Sequence, residues 1–159
     1  RLEHNFFAAL FHDLPEAVTR DIISPVKQAT DHLPEVVKHI EDEIVAQELL
    51  PLMDEYYRED VLYFIQQEFE NRVRLDGKTR CVTSEELNER YAAPQFYGID
   101  GKLIRAADQI AAFVEADSSI RFGIRSEQLE GGRANILQHY GEHTVINGFP
   151  LESFFASYR

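Results

Sequence analysis

The sequence predicts an all-α fold. Apolar residues recur every three or four positions along most of the chain, as on one face of a helix. A helix-opening signal, Thr83-x-x-Glu86, stands where one such run begins. No stretch sustains the period-two alternation of a half-buried strand. At 159 residues, 44% of them hydrophobic and 28% charged, the chain is one domain's worth and can bury a sizeable core.

Taken in order, residues 5–11 read as the end of an apolar helix, with Phe6, Phe7, Leu10 and Phe11 as core candidates. Pro15 suits the first turn of a new helix, because its fixed φ is already helical and its missing N–H would have no partner there. The stretch 22–25 reads as irregular, since Pro25 pushes Ser24 out of the helical region. Over residues 34–50, Val36, Val37, Ile40, Ile44, Val45 and Leu49 follow a 3.6 period until Pro51 interrupts. Residues 54–72 resume as a helix carrying Tyr57, Val61, Phe64, Ile65 and Phe69. Asp76-Gly77 is a turn, Thr83 opens a short helix to about Tyr91, and residues 94–101 form a loop.

The central helix is expected over residues 102–116, with Leu103, Ile104, Ala107, Ile110, Ala111 and Val114 as its apolar side. A further helix is expected from Ser118 or Ser119, which Gly131-Gly132 weakens or divides. Residues 150–158 close the chain as a short aromatic helix, and Thr144-Val145-Ile146 makes at most a tiny strand. The whole reads as a single helical domain over 1–159, with a motif-bearing core over about 5–116 and C-terminal helices over 118–159.

The formal net charge of −12 disfavours a long nucleic-acid partner, whose backbone the average surface would repel. A small phosphorylated substrate is still permitted, because a metal ion and one or two basic residues reverse the potential inside a pocket. The lone Cys81 rules out an intramolecular disulfide and a zinc site built on cysteines, and fits a reducing cytoplasm. No apolar run approaches the roughly 18 residues of a membrane span, and no signal peptide is visible.

The stretch with chemical content is His12-Asp13-Leu14-Pro15-Glu16, followed by Asp21. An imidazole nitrogen beside a hard carboxylate oxygen is a mixed donor set for a divalent cation. Adjacent side chains diverge by about 100° inside a helix, but at a helix C-terminus both can turn toward one ion. If the chain stays roughly helical beyond, Glu16 and Asp21 face the same cavity. On spacing alone, the commoner meaning of such a dipeptide is a buried helix end with ordinary hydrogen-bonded polar groups.

Other candidates are weaker. His139 and His143 stand at i, i+4, but Gly141 and the Thr144-Val145 run argue against a firm helix, so packing or surface roles are expected. His32 and His39 lack matching partners. Glu41-Asp42-Glu43 reads as a solvated helix face, and the basic cluster Arg72, Arg74, Lys78 and Arg80 as a solvent-facing loop. Gly131-Gly132 lacks the strand and helix context of a phosphate loop.

The run from Phe6 to Lys27, with His12-Asp13, Glu16, Thr19-Arg20-Asp21 and Pro25-Val26-Lys27, resembles the HD region of the bacterial 5′-deoxynucleotidase-like branch of HD phosphohydrolases. The run from Lys102 to Phe113, with Ala107-Asp108, resembles the later helix of that family. The resemblance covers about residues 5–116. It implies an all-α helical bundle and one divalent metal ion (Mn²⁺, Co²⁺, Fe²⁺, Ni²⁺, Zn²⁺ or Mg²⁺) held by His12, Asp13 and Asp108. It implies that Glu16 acts as or positions the catalytic acid/base, that Asp21 contacts the substrate sugar, and that Lys27 can neutralise phosphate charge. The implied reaction is hydrolysis of a phosphate ester, most naturally of a (deoxy)nucleoside monophosphate, in a cytoplasmic protein that needs no membrane; a homodimer is left open. The alternative is a non-catalytic HD-like domain that senses a nucleotide or packs against a partner. The family pattern also has a ligand His on an earlier helix. Only 11 residues precede His12, and His4 is too near to match, so that helix is expected N-terminal to Arg1.

Overall fold

The structure, a computed structural model, describes residues 1–19, 33–140 and 144–158. It is an all-α architecture with two small antiparallel hairpins, arranged as two compact units, Arg1–Glu68 and Phe69–Arg159. The irregular stretch 22–25, Asp21, Lys27, His32 and His143 lie outside the described residues.

The first unit holds helices α1 (Leu2–Phe11), α2 (Glu16–Thr19), α3 (Leu33–Ile44) and α4 (Glu55–Ile65). Helix α3 passes directly into a π-helical turn, Val45–Leu49, and a 3₁₀ turn, Leu50–Leu52, in which Pro51 has no N–H to continue the ladder. Asp54 caps α4 by accepting a hydrogen bond from the Tyr56 amide at 2.9 Å. Helices α1 and α4 meet around aromatic rings: Phe7 and Phe11, one turn apart, lie 5.6 and 6.4 Å from Phe64. Ala8, Val37, Val45, Tyr63, Phe64 and Ile65 are buried. Two of the four core candidates on α1 are therefore corrected. Phe6 and Leu10 are 60% and 59% exposed, because only the Phe7–Phe11 edge of the helix turns toward Phe64.

Helix α4 also stops earlier than its apolar pattern predicts. Gln66 is extended and Gln67 has φ 50°, so the backbone leaves the helix six residues before Arg72. In the second unit Arg72–Leu75 (β1) instead pairs with Lys78–Cys81 (β2), Arg72 opposite Cys81 and Leu75 opposite Lys78. Asp76 and Gly77, both at positive φ, make the tight two-residue turn whose twist suits a hairpin. The basic cluster is thus strand and not loop: Arg72 is fully buried and Arg74 lies over the Tyr97 ring at 5.5 Å.

Helix α5 (Ser84–Glu89) opens on the expected capping box. The Thr83 hydroxyl accepts from the Glu86 amide and the Glu86 carboxylate from the Thr83 amide. Helix α6 runs from Gly101 to Arg121, past the predicted end and through Ser118 and Ser119, and gives way at Gly123, φ 90°. Helix α7 (Glu127–Tyr140) starts at Ser126, whose hydroxyl accepts from the Leu129 amide, and contains Gly131 and Gly132 without a break. A second hairpin, β3 (Val145–Ile146) with β4 (Phe149–Pro150), and helix α8 (Glu152–Ala156) complete the unit. Ala106, Phe113, Tyr140, Leu151 and Phe155 form its buried cluster, and Phe113 meets Phe155 edge to face at 5.0 Å. The buried stripe of α6 is rotated from expectation: Ala107 and Ala111 are exposed, whereas Ala106 and Phe113 are buried. No helix among the described residues is long and apolar enough to cross a membrane.

Candidate metal centre

The His12-Asp13 pair sits where α1 ends. His12 keeps helical angles as the C-cap of α1, and three successive backbone bonds coil the chain onward: Leu14 N to Phe11 O, Glu16 N to Asp13 O, and Ala17 N to Leu14 O. Buried Pro15 occupies the last position before α2, so Glu16 falls in its first turn. The His12 ring places Nδ1 2.8 Å from the Ala9 carbonyl oxygen. A carbonyl only accepts, so Nδ1 carries the proton and donates. Nε2 is directed to Asp13, 3.1 Å from Oδ1, with the two side chains 16% and 67% exposed. A lone pair and a carboxylate oxygen at that separation repel unless a cation, either a proton on Nε2 or a metal ion, lies with them. The gap is also close to that between adjacent ligand atoms around one ion with bonds of roughly 2.0–2.2 Å. The backbone carbonyl behind Nδ1 is the usual device that fixes a ligating histidine's tautomer and ring plane.

Two carboxylates of this unit, Glu68 and Glu41, are placed differently from what the sequence suggests. Glu68 has its pKa raised, mainly by burial; the charges of Lys38 and His12 oppose the rise, and those of Glu41 and Asp13 add to it. Its carboxyl therefore stands within electrostatic reach of the His12-Asp13 pair. Glu41, expected on a solvated face, is only 8% exposed, whereas Asp42 and Glu43 are exposed as expected. The signal was faint but present: Glu41 follows Val37 by four residues, on the stripe that Val45 continues.

Asp108 stands on α6, in the second unit, exposed, with Arg105 and Tyr140 nearby. Burial raises the Tyr140 phenol's pKa, Arg105 counteracts and Asp108 adds to the rise. The N-terminus of α6 is fixed firmly. Buried Asp100 caps it by accepting from the Leu103 amide at 3.1 Å, and its other oxygen accepts from the Asn147 amide group. Buried Asn71 accepts from the Lys102 amide at 3.1 Å and donates to Ser84 Oγ at 2.8 Å, joining α5 to α6. Gly101 is required because a Cβ there would lie 2.4 Å from the Glu70 carbonyl oxygen.

Among the described residues, no group of three or more His, Cys, Asp or Glu side chains is arranged to hold a metal ion. The structure brings together His12 and Asp13, with Glu16 one turn on; Asp108 belongs to the other unit, and Asp21 and Lys27 are not described. Two of the other histidines have the surface and packing roles expected of them: His39 is an exposed partner of Glu43 at 3.6 Å, and His139 packs edge-on against Tyr140 at 4.5 Å.

The chain is helical with a His-Asp pair at a helix end, and the comparison with known families gives that pair its meaning. Residues 1–137 match the HD domain, and the chain belongs to that family of metal-dependent phosphohydrolases. No curated protein and no solved structure matches it.

Proposed function

We propose that this chain hydrolyses the phosphate ester of a (deoxy)nucleoside monophosphate with the help of one divalent metal ion, as a 5′-nucleotidase-like member of its family. The observation that carries the reading is the His12 geometry: Nδ1 is held by a backbone carbonyl and Nε2 stands 3.1 Å from the Asp13 carboxylate. His12 and Asp13 would hold the ion together with Asp108. When bound, it would supply Lewis-acid polarisation of a phosphoryl oxygen and a water of lowered pKa. The imidazole and carboxylate donors do not choose among Mn²⁺, Co²⁺, Fe²⁺, Ni²⁺, Zn²⁺ and Mg²⁺ by themselves.

The chain's own residues do the rest. Glu16, one turn beyond His12, takes or positions a proton of the attacking water. Asp21 accepts a hydrogen bond from the substrate sugar, and Lys27 offsets phosphate charge. Glu68, in the electrostatic company of the pair, is a further carboxylate whose raised pKa favours holding a proton.

The second reading, a non-catalytic nucleotide-sensing or partner-binding domain, is favoured by one observation. No third donor groups with His12 and Asp13 among the described residues. Phosphate release from a panel of nucleoside and deoxynucleoside monophosphates, measured with each metal ion, separates the two. Metal-dependent release that His12→Ala and Asp13→Ala abolish is the result expected. Nucleotide binding without any release, under every metal tested, would leave the sensing domain.

A further inference from the structure

Between the C-terminal end of α6 and the first turns of α7 lies a cleft of about 430 Å³, lined by Asp117, Ile120, Arg121, Arg125, Glu130 and Arg133. Three guanidinium groups against two carboxylates leave the lining one positive charge in excess, in a chain whose net charge is −12. Such a local reversal concentrates anions.

The basic groups are organised by one buried carboxylate. Asp117 is 4% exposed and accepts from Arg121 Nε at 2.6 Å through one oxygen and from Arg133 Nε at 2.7 Å through the other. Arg133 is held further by Nη2 donating to the Tyr158 carbonyl at 3.2 Å, and its guanidinium lies 5.3 Å from the Phe113 ring centre. Arg121 binds Asp117 through Nε, so its terminal Nη donors, on a 65% exposed side chain, are left for another acceptor. Arg125 is 73% exposed, and its pairing with Glu130 at 3.7 Å is loose enough for a stronger anion to displace.

We propose that this cleft is a binding site for a small anion bearing linked phosphate groups, gripped by Arg121 and Arg125, with Asp117 and Arg133 as the fixed frame. Bidentate guanidinium–phosphate bonding accounts for the residue type, since arginine's planar fork matches two phosphoryl oxygens. A volume within the range of small-ligand pockets accounts for the size. The site is independent of the His12-Asp13 pair and of the hydrolase reading.

The test is calorimetric titration of the full chain with inorganic pyrophosphate, in EDTA so that no metal centre contributes. Saturable binding at one site is expected. Arg121→Gln and Arg125→Gln, each first checked for an unchanged fold by circular dichroism, should weaken it about tenfold, the effect of one charge-assisted hydrogen bond. Absence of saturable binding at millimolar pyrophosphate would overturn the proposal. Equal affinity in wild type and both variants would do so as well, as would binding of an acidic peptide in preference to pyrophosphate.

Discussion

At the scale of single residues, the two polar centres differ in what holds them. His12 is oriented by a backbone carbonyl, so its direction survives changes in neighbouring side chains. Glu16 is joined to the pair through the backbone, its amide donating to the Asp13 carbonyl at 2.9 Å. Glu16→Gln keeps the shape and removes the base; kcat should fall about 10²–10⁴-fold with metal occupancy unchanged, read from paired activity and metal-content measurements. Asp117 is the opposite case, a carboxylate fixed by charge. Burial pushes its pKa up, but the hydrogen bonds and charges of Arg133 and Arg121 outweigh this and hold it below the ordinary aspartate range. The folded-state pKa is depressed, so Asp117 contributes stability above its unfolded pKa of about 3.9 and loses it as pH falls through the lower folded value. Among the described residues, Arg121 and Arg133 bond it, and Arg125 and Glu130 are the other charged groups lining the same cleft. Asp117→Asn should cost about 2 kcal/mol near neutrality, the scale of hydrogen bonds to a charged group. Melting curves recorded from about pH 6 to about pH 2 should show that difference shrinking in acid; a constant gap would mean that the ion pairs contribute nothing.

At the scale of elements, two glycines make opposite predictions. Gly101→Ala forces a Cβ onto the Glu70 backbone and should destabilise by several kcal/mol, by analogy with overpacking at a site that cannot yield. Gly131→Ala meets open space at helical φ and should stabilise by about 0.5–1 kcal/mol in a denaturant titration. Helices were the legible part of the sequence. The capping box at Thr83 and the stop at Pro51 are local chemistry, and local chemistry is written in consecutive residues. The β1–β2 hairpin was missed because its residues, Arg72-Val73-Arg74-Leu75 and Lys78-Thr79-Arg80-Cys81, follow the apolar run of α4, which the eye extends through Phe69. Asp76-Gly77 was the sign that strands flank it. The exposed Phe6 and Leu10 have a similar cause: composition marks a residue as apolar, but only the position of Phe64 selects which edge of α1 is covered. Of the site, His12-Asp13 was legible as an adjacent pair. Glu68 was not, since its company with His12 is a matter of folding across more than fifty residues.

At the scale of the whole molecule, the family match and the physical unit end at different places. The HD domain match closes at residue 137, yet Tyr140, Leu151 and Phe155 supply three of the five residues in the buried cluster of the second unit. A chain ending at Leu137 should therefore lose cooperative unfolding of that unit, seen as a missing or broadened thermal transition. Phe155→Ala alone should cost about 3–5 kcal/mol. A truncated chain as stable as the 159-residue one would show that the C-terminal hairpin and α8 are appendages.

The edge-to-face contact of Phe113 with Phe155 sets a clock during synthesis. The two residues are 42 positions apart, and at roughly 5–20 residues per second a ribosome delivers the second about 2–8 s after the first. Through that interval Phe113 on α6 waits for the ring that closes its cluster, with only the α7 residues Ile136, Leu137 and Tyr140 already delivered. A slow codon between α6 and α8 would lengthen the time for which this cluster stands open to chaperones and to aggregation.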